Sequence, residues 1–128
     1  MDLHFYNCDI CGKVIATLSS AGIPTECCGQ VMKELVPNKT DGAFEKHVPV
    51  FSINENTVQV CVGSVPHPMT YAHSITWIGI RTSCGFQFRQ LHPGLAPCAL
   101  FTLSPDERVE AVYAYCDVHG LWCAEDEA

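Results

Sequence analysis

At 128 residues, 48% apolar and 16% charged, the chain has room for one ordinary domain, or for a very small one joined to a domain of about 90 residues. A formal charge of −7 argues against nucleic acid or an anionic membrane as a partner, and means that an anionic substrate would need a local positive guide. No apolar run approaches the roughly 18 residues of a membrane span, and Met1-Asp2-Leu3-His4 lacks the basic start of an export signal, so the cytoplasm is the expected compartment.

Residues 1–36 carry four of the nine cysteines, and Val36-Pro37-Asn38-Lys39-Thr40-Asp41-Gly42 then reads as a linker. Val48–Ile53 and Thr57–Val62 flank the turn Asn54-Glu55-Asn56, and Val58, Val60 and Val62 alternate with polar or small residues. Further short runs follow at His73–Ile80, around Phe86 and Phe88, at Cys98–Leu103 and at Arg108–Tyr115. Period-two alternation with a turn every ten residues or so predicts an antiparallel β-sandwich. Ser104-Pro105-Asp106-Glu107 leaves a helix over 105–115 as an alternative. The last regular element is expected to end near Cys116.

The N-terminal cysteines fall in two tight turns, Cys8-Asp9-Ile10-Cys11-Gly12 and Glu26-Cys27-Cys28-Gly29. Two thiolates of one Cys-x-x-Cys turn can face one ion, and a following glycine lets the backbone curl so that amides point at sulfur. Together the two turns make a four-thiolate cage suited to zinc or iron. The piece is too small to build a sufficient core, so bound metal would supply the missing stability. The adjacent pair Cys27-Cys28 is unusual, because neighbouring residues must both turn toward one ion.

Four of the six histidines stand in conspicuous settings: His47 after Glu45-Lys46, His67 between Pro66 and Pro68, His73 after Tyr71-Ala72, and His119 three residues after Cys116. Cys116-x-x-His119 alone would also serve a zinc site. Four imidazoles and one thiolate make five ligands, one more than tetrahedral zinc commonly takes. Around an octahedral ion they leave one position for a small substrate. His4 and His92 are expected to be solvated, and Cys61, Cys84, Cys98 and Cys123 to be small buried residues or free thiols.

The first 37 residues resemble desulforedoxin: Phe5-Tyr6 precede Cys-x-x-Cys-Gly, Cys-Cys-Gly is followed by Met32, and the exit is Leu35-Val36-Pro37-Asn38. The whole chain resembles the desulfoferrodoxins, the two-iron class of superoxide reductase. The likeness rests on Glu45-Lys46-His47-Val48-Pro49-Val50, on Gly63-Ser64-Val65-Pro66-His67-Pro68-Met69 with His73 and Trp77-Ile78 beyond it, on Leu91-His92-Pro93-Gly94, and on Tyr115-Cys116-Asp117-Val118-His119-Gly120-Leu121-Trp122. It implies a desulforedoxin-like domain over 1–37, with a mononuclear iron held by Cys8, Cys11, Cys27 and Cys28. It also implies an immunoglobulin-like sandwich over 38–128, with a second iron held by equatorial His47, His67, His73 and His119 and axial Cys116. The implied reaction reduces superoxide to hydrogen peroxide without releasing oxygen, with electrons from a donor such as rubredoxin or a reductase, in a homodimer. Lys46 is the candidate guide for the anion and Glu45 the candidate occupant of the sixth position. Asp117, where asparagine is usual, Val118, where leucine is usual, and Ser74 and Thr76 depart from the common pattern without touching a ligand. Two other readings compete, a rubredoxin-like electron carrier with incidental histidines and a zinc-stabilised interaction module.

Overall fold

The computed structural model describes residues 3–39 and 42–126. Met1 and Asp2 of the opening stretch, and Thr40 and Asp41 of the expected linker, lie outside the described residues. The chain divides into two compact units, Met1–Val36 and Pro37–Ala128.

In the first unit, β1 (His4–Asn7) pairs antiparallel with β2 (Val14–Thr17) on one side. On the other side it pairs with β5 (Lys33–Glu34). The short strands β3 (Glu26–Cys27) and β4 (Gln30–Val31) form a separate hairpin. Leu3, Phe5, Cys8 and Met32 are its buried apolar residues, whereas Ile10, Leu18, Ile23 and Val31 are exposed. So small a core leaves most of the unit's order to its turns.

The second unit opens with a single helical turn, α1 (Phe44–His47), and continues in seven strands. These are β6 (Pro49–Asn54), β7 (Thr57–Val62), β8 (Ile75–Thr82), β9 (Gly85–Gln90), β10 (Cys98–Thr102), β11 (Val109–Cys116) and β12 (Gly120–Glu125). They form two sheets, ordered β10-β7-β6 and β12-β11-β8-β9, with every pair antiparallel. Val58, Val60, Val62 and Phe101 of the first sheet share one core with Ile75, Ile78, Ile80, Val112, Ala114 and Trp122 of the second. The alternation along β7 therefore does what alternation predicts: valines in, Thr57, Gln59 and Cys61 out.

Residues 109–116 are strand, not helix, because Val109, Ala111 and Tyr113 on one side and Val112 and Ala114 on the other are all buried in a central strand flanked by β8 and β12. The chain does not end its regular structure at Cys116. Gly120, with φ of 80°, turns it back into β12, which returns along β11 from Cys116↔Gly120 to Ala111↔Glu125. The register of β11 against β8 shifts between Tyr115 and Cys116, a bulge that bends the strand at the one cysteine buried among histidines. Cys61 and Cys98, expected as unpaired residues, form a disulfide, since they face each other across β7 and β10 with Cα atoms 4.1 Å apart. Cys84 and Cys123 are free thiols.

Candidate metal centres

The first cluster is made by two turns of different kinds. After β1, Gly12 donates its amide to the Cys8 carbonyl and Cys8 donates to Lys13, which folds Cys8 and Cys11 into one loop. Between β3 and β4 the two-residue connection Cys28-Gly29 has φ of 54° and 77°, the pairing of positive angles that a tight right-twisted hairpin requires. That turn explains how adjacent cysteines serve one centre: Cys27 is still strand, while Cys28 has already turned back. The Sγ atoms of Cys11 and Cys27 lie 3.7 Å apart and those of Cys27 and Cys28 3.9 Å. All four sulfurs fall within 4.8 Å of one another. A tetrahedron of metal–sulfur bonds of about 2.3 Å has edges of about 3.8 Å, so the spacing fits a four-thiolate ion. Electrostatics agree. Amides of Cys11 and Ile10 pull the Cys8 thiol down to about 7, while hydrogen bonding with Cys11, Cys8 and Cys27 pushes Cys28 up to about 12. Four anions this close need a cation between them.

The second cluster draws on four separate segments. His47 ends α1, His67 and His73 lie in the connection between β7 and β8, Cys116 ends β11, and His119 lies in the turn before β12. Ring centroids run 4.6 Å from His47 to His67, 4.7 Å to His73, 5.0 Å to His119 and 4.7 Å back to His47. The His47–His73 diagonal is 6.2 Å. Four imidazoles thus stand in a square. The Cys116 sulfur lies 3.4 Å from His67 Nε2 and 3.8 Å from His119 Nδ1.

Hydrogen bonds decide which nitrogens face inward. His47 Nδ1 donates to the Ala43 carbonyl at 2.8 Å, one helical turn back, and His67 Nδ1 donates to the Pro68 carbonyl at 2.7 Å. A carbonyl only accepts, so each Nδ1 carries the proton and each Nε2 presents a lone pair. These two lone-pair nitrogens face each other at 3.1 Å, and His119 Nδ1 lies 2.9 Å from His47 Nε2. His73 Nε2 is buried with no hydrogen-bond partner among the described residues. Opposed lone pairs repel unless a cation lies between them, and neighbouring donors around an ion bound at about 2.1 Å stand about 3 Å apart. The donor set therefore fits a metal ion.

Burial lowers His47, and lowers His67 to about 4, so both are neutral ligands at neutral pH. Burial raises the Cys116 thiol, against amides of His119 and Val118 that favour the thiolate, and the His119 amide lies 3.4 Å from the sulfur.

Packing fixes this geometry. Trp122 stacks on His47 at 4.7 Å and Phe44 meets Trp122 edge-on at 5.3 Å. Asp117 accepts the Ser74 amide at 2.9 Å and returns its own amide to the Ser74 carbonyl, joining the His73 segment to the Cys116 turn. The α1 turn is docked on the His67 loop through one atom, the Glu45 carbonyl, which takes the Val65 amide at 2.8 Å and the Ser64 hydroxyl at 3.2 Å. Gly63 permits that contact, since a Cβ there would lie 2.3 Å from the same oxygen. Glu45 and Lys46 are exposed on α1, directly before His47, and no carboxylate of the described residues joins the metal-binding group. His92 is exposed, while His4 pairs with Glu34 at 2.8 Å and so is not merely solvated.

Comparison with known proteins follows the same lines. Residues 39–125 match the family model described as Desulfoferrodoxin. The chain is 42% identical over 120 residues to a desulfoferrodoxin homolog of Archaeoglobus fulgidus, covering 94% of each. It is 41% identical over 123 residues to the desulfoferrodoxin of Nitratidesulfovibrio vulgaris, covering 95% of each. The crystal structure of the superoxide reductase from Treponema pallidum superposes with a TM-score of 0.82 at 33% identity, covering 98% of this chain and 100% of that one. The chain belongs to the desulfoferrodoxin family.

Proposed function

We propose that this chain is a superoxide reductase with two mononuclear iron sites. Residues 1–37 form an electron-transfer domain whose iron is held by Cys8, Cys11, Cys27 and Cys28. Residues 38–128 form the reductase domain, with His47, His67, His73, His119 and Cys116 as ligands. Similarity to the Treponema pallidum superoxide reductase over nearly the whole chain supports the reaction. The observation that carries it is the square of imidazoles with the Cys116 sulfur on it, the Nε2 lone pairs of His47 and His67 turned inward by outward Nδ1 bonds to Ala43 and Pro68.

When bound in that square, iron supplies a one-electron couple for turning superoxide and two protons into hydrogen peroxide. The protein's own groups do the rest. Burial keeps the His47 and His67 rings neutral, and their Nδ1 bonds keep them aimed. The amides of Val118 and His119 moderate the charge on the Cys116 sulfur. Five donors leave a sixth position to a small ligand. Lys46, exposed on α1 in a chain of net charge −7, attracts the anion and holds a proton-donating water. Glu45, beside it, is the carboxylate that would be offered to an iron held by these ligands. A rubredoxin or a reductase supplies the electrons, and we place the protein in the cytoplasm as a homodimer that removes superoxide under oxidative stress. Among the described residues no helix is long and apolar enough to cross a membrane.

Metal analysis and a visible spectrum, taken with a superoxide assay, test the reading. Two irons per chain and peroxide formed without oxygen release are expected, and Cys116→Ser should remove the charge-transfer band of the second site alone. A single iron among the four cysteines, with superoxide ignored, would make the chain an electron carrier. Colourless zinc protein would make it an interaction module.

A further inference from the structure

Two cysteines outside both clusters are already joined. Cys61 and Cys98 occupy the outward face of the β10-β7-β6 sheet, opposite in phase to the buried Val58, Val60, Val62, Ala99 and Phe101. They are half-buried there, beside the exposed side chains of Val50 and Leu100. The ladder between β7 and β10 already runs over five residue pairs, Thr57↔Thr102 to Cys61↔Cys98, so the sulfur bond adds little to holding the strands together. Opposed thiols that small molecules can reach, joined by a bond the fold does not require, have the character of an exchangeable pair rather than a permanent staple.

The position of the pair gives the bond a consequence. Val62, next to Cys61, donates its amide to the carbonyl of Pro97, next to Cys98, at 2.9 Å. The Val62 carbonyl in turn accepts the His67 amide at 3.0 Å. The sulfurs therefore sit at the base of the loop that presents His67, one residue from its anchoring bond.

We propose that Cys61 and Cys98 are a second redox site of this chain, a thiol pair oxidised by hydrogen peroxide that closes as a clasp beneath the His67 loop. The inference rests on the proposed function only for the source of the oxidant, which is that reaction's product. One sulfur, as thiolate, attacks a peroxide oxygen; the O–O bond breaks, hydroxide leaves and takes up a proton, and a sulfenic acid remains. The second sulfur attacks the sulfenic sulfur; the S–O bond breaks, water leaves and the S–S bond forms. Two electrons pass from the thiols to the peroxide, and two thiols and one peroxide become one disulfide and two waters.

The test uses the full iron-loaded chain, with the pair opened by dithiothreitol, the reductant removed, and one equivalent of hydrogen peroxide added as reagent. Peptide mass spectrometry after alkylation should show the loss of two hydrogens on the linked Cys61 and Cys98 peptides, reversed by fresh dithiothreitol. Amide exchange at Val62 and His67 should slow several-fold on closure. In Cys61→Ser, Cys98 cannot close on its partner and should be trapped by dimedone as the sulfenic acid. A bond that resists dithiothreitol in the folded protein, thiols that stay alkylatable after peroxide, or exchange at His67 that ignores the state of the pair would each overturn the proposal. If the variant does not fold, the wild-type measurements still decide. Because peroxide is added directly, closure without any superoxide consumption would count against the reductase alone.

Discussion

The two metal centres are built by opposite means. The thiolate cage of residues 3–36 comes from two short turns in a unit with four buried apolar residues. The imidazole square comes from segments spread from position 47 to position 119, held by a core of two packed sheets. In the first unit a bound ion would have to supply much of the order, whereas in the second the packed sheets carry the segments that bear the donors. Local turns can aim sulfurs without a core, because the thiolates gain their order from the cation itself. Imidazoles that must stand in a square with a chosen nitrogen inward need rigid neighbours on every side.

That contrast can be broken most directly by stripping the metal. Removal should unfold residues 3–36, at a loss on the order of 10 kcal/mol if the cage behaves like a structural metal site, while the sandwich strands keep their amide protection. Hydrogen exchange read unit by unit checks this, and equal loss in both units would erase the distinction. Next in size is Gly63→Ala, whose new Cβ would meet the Glu45 carbonyl. It should cost about 3 kcal/mol through overpacking and displace the His47 turn, lowering both the melting temperature and the metal content of the second site, with the first site unchanged.

Lys46→Ala should leave both metals bound and slow superoxide consumption roughly tenfold at low salt, with a flatter ionic-strength dependence. Stopped-flow or pulsed generation of superoxide measures it, and an unaltered rate would remove Lys46 from the reaction. The smallest effect belongs to Glu107, outside both clusters. Hydrogen bonds from the Thr82 hydroxyl and the Ser104 amide hold its carboxyl below the ordinary range. A depressed carboxyl stabilises the fold above the unfolded value of about 4.3 and loses that contribution as pH falls through its lower folded value. Glu107→Gln should therefore lower the melting temperature slightly at neutral pH and narrow the gap from wild type in acid, for the sandwich alone.

The same contrast governs what could be read from the residues. The cage was legible because its ligands are neighbours: Cys8 and Cys11 share one turn, Cys27 and Cys28 another. The difficulty of Cys27-Cys28 dissolves only in three dimensions, where positive φ at Cys28 turns it back on its neighbour. The square was legible as a ligand set through resemblance, and its strands through the alternation of Val58, Val60 and Val62. Its supports were not. Asp117 binds the Ser74 backbone across 43 residues, and Ala43 and Pro68 act through carbonyls that any residue would carry. Helix α1 is too short to leave a periodic signal, and β12 was hidden because Cys116-x-x-His119 looked like an ending when it is a hairpin turn. The Cys61–Cys98 bond depended on register, which spacing alone does not fix.

The bonds from His47 to Ala43 and from His67 to Pro68 have one more consequence. Both rings are clamped from behind by their own segments, so two corners of the square are aimed by the main chain. An ion that enters finds those two nitrogens already turned toward it. The aim of two imidazoles thus depends on two main-chain oxygens that a change of side chain would leave in place.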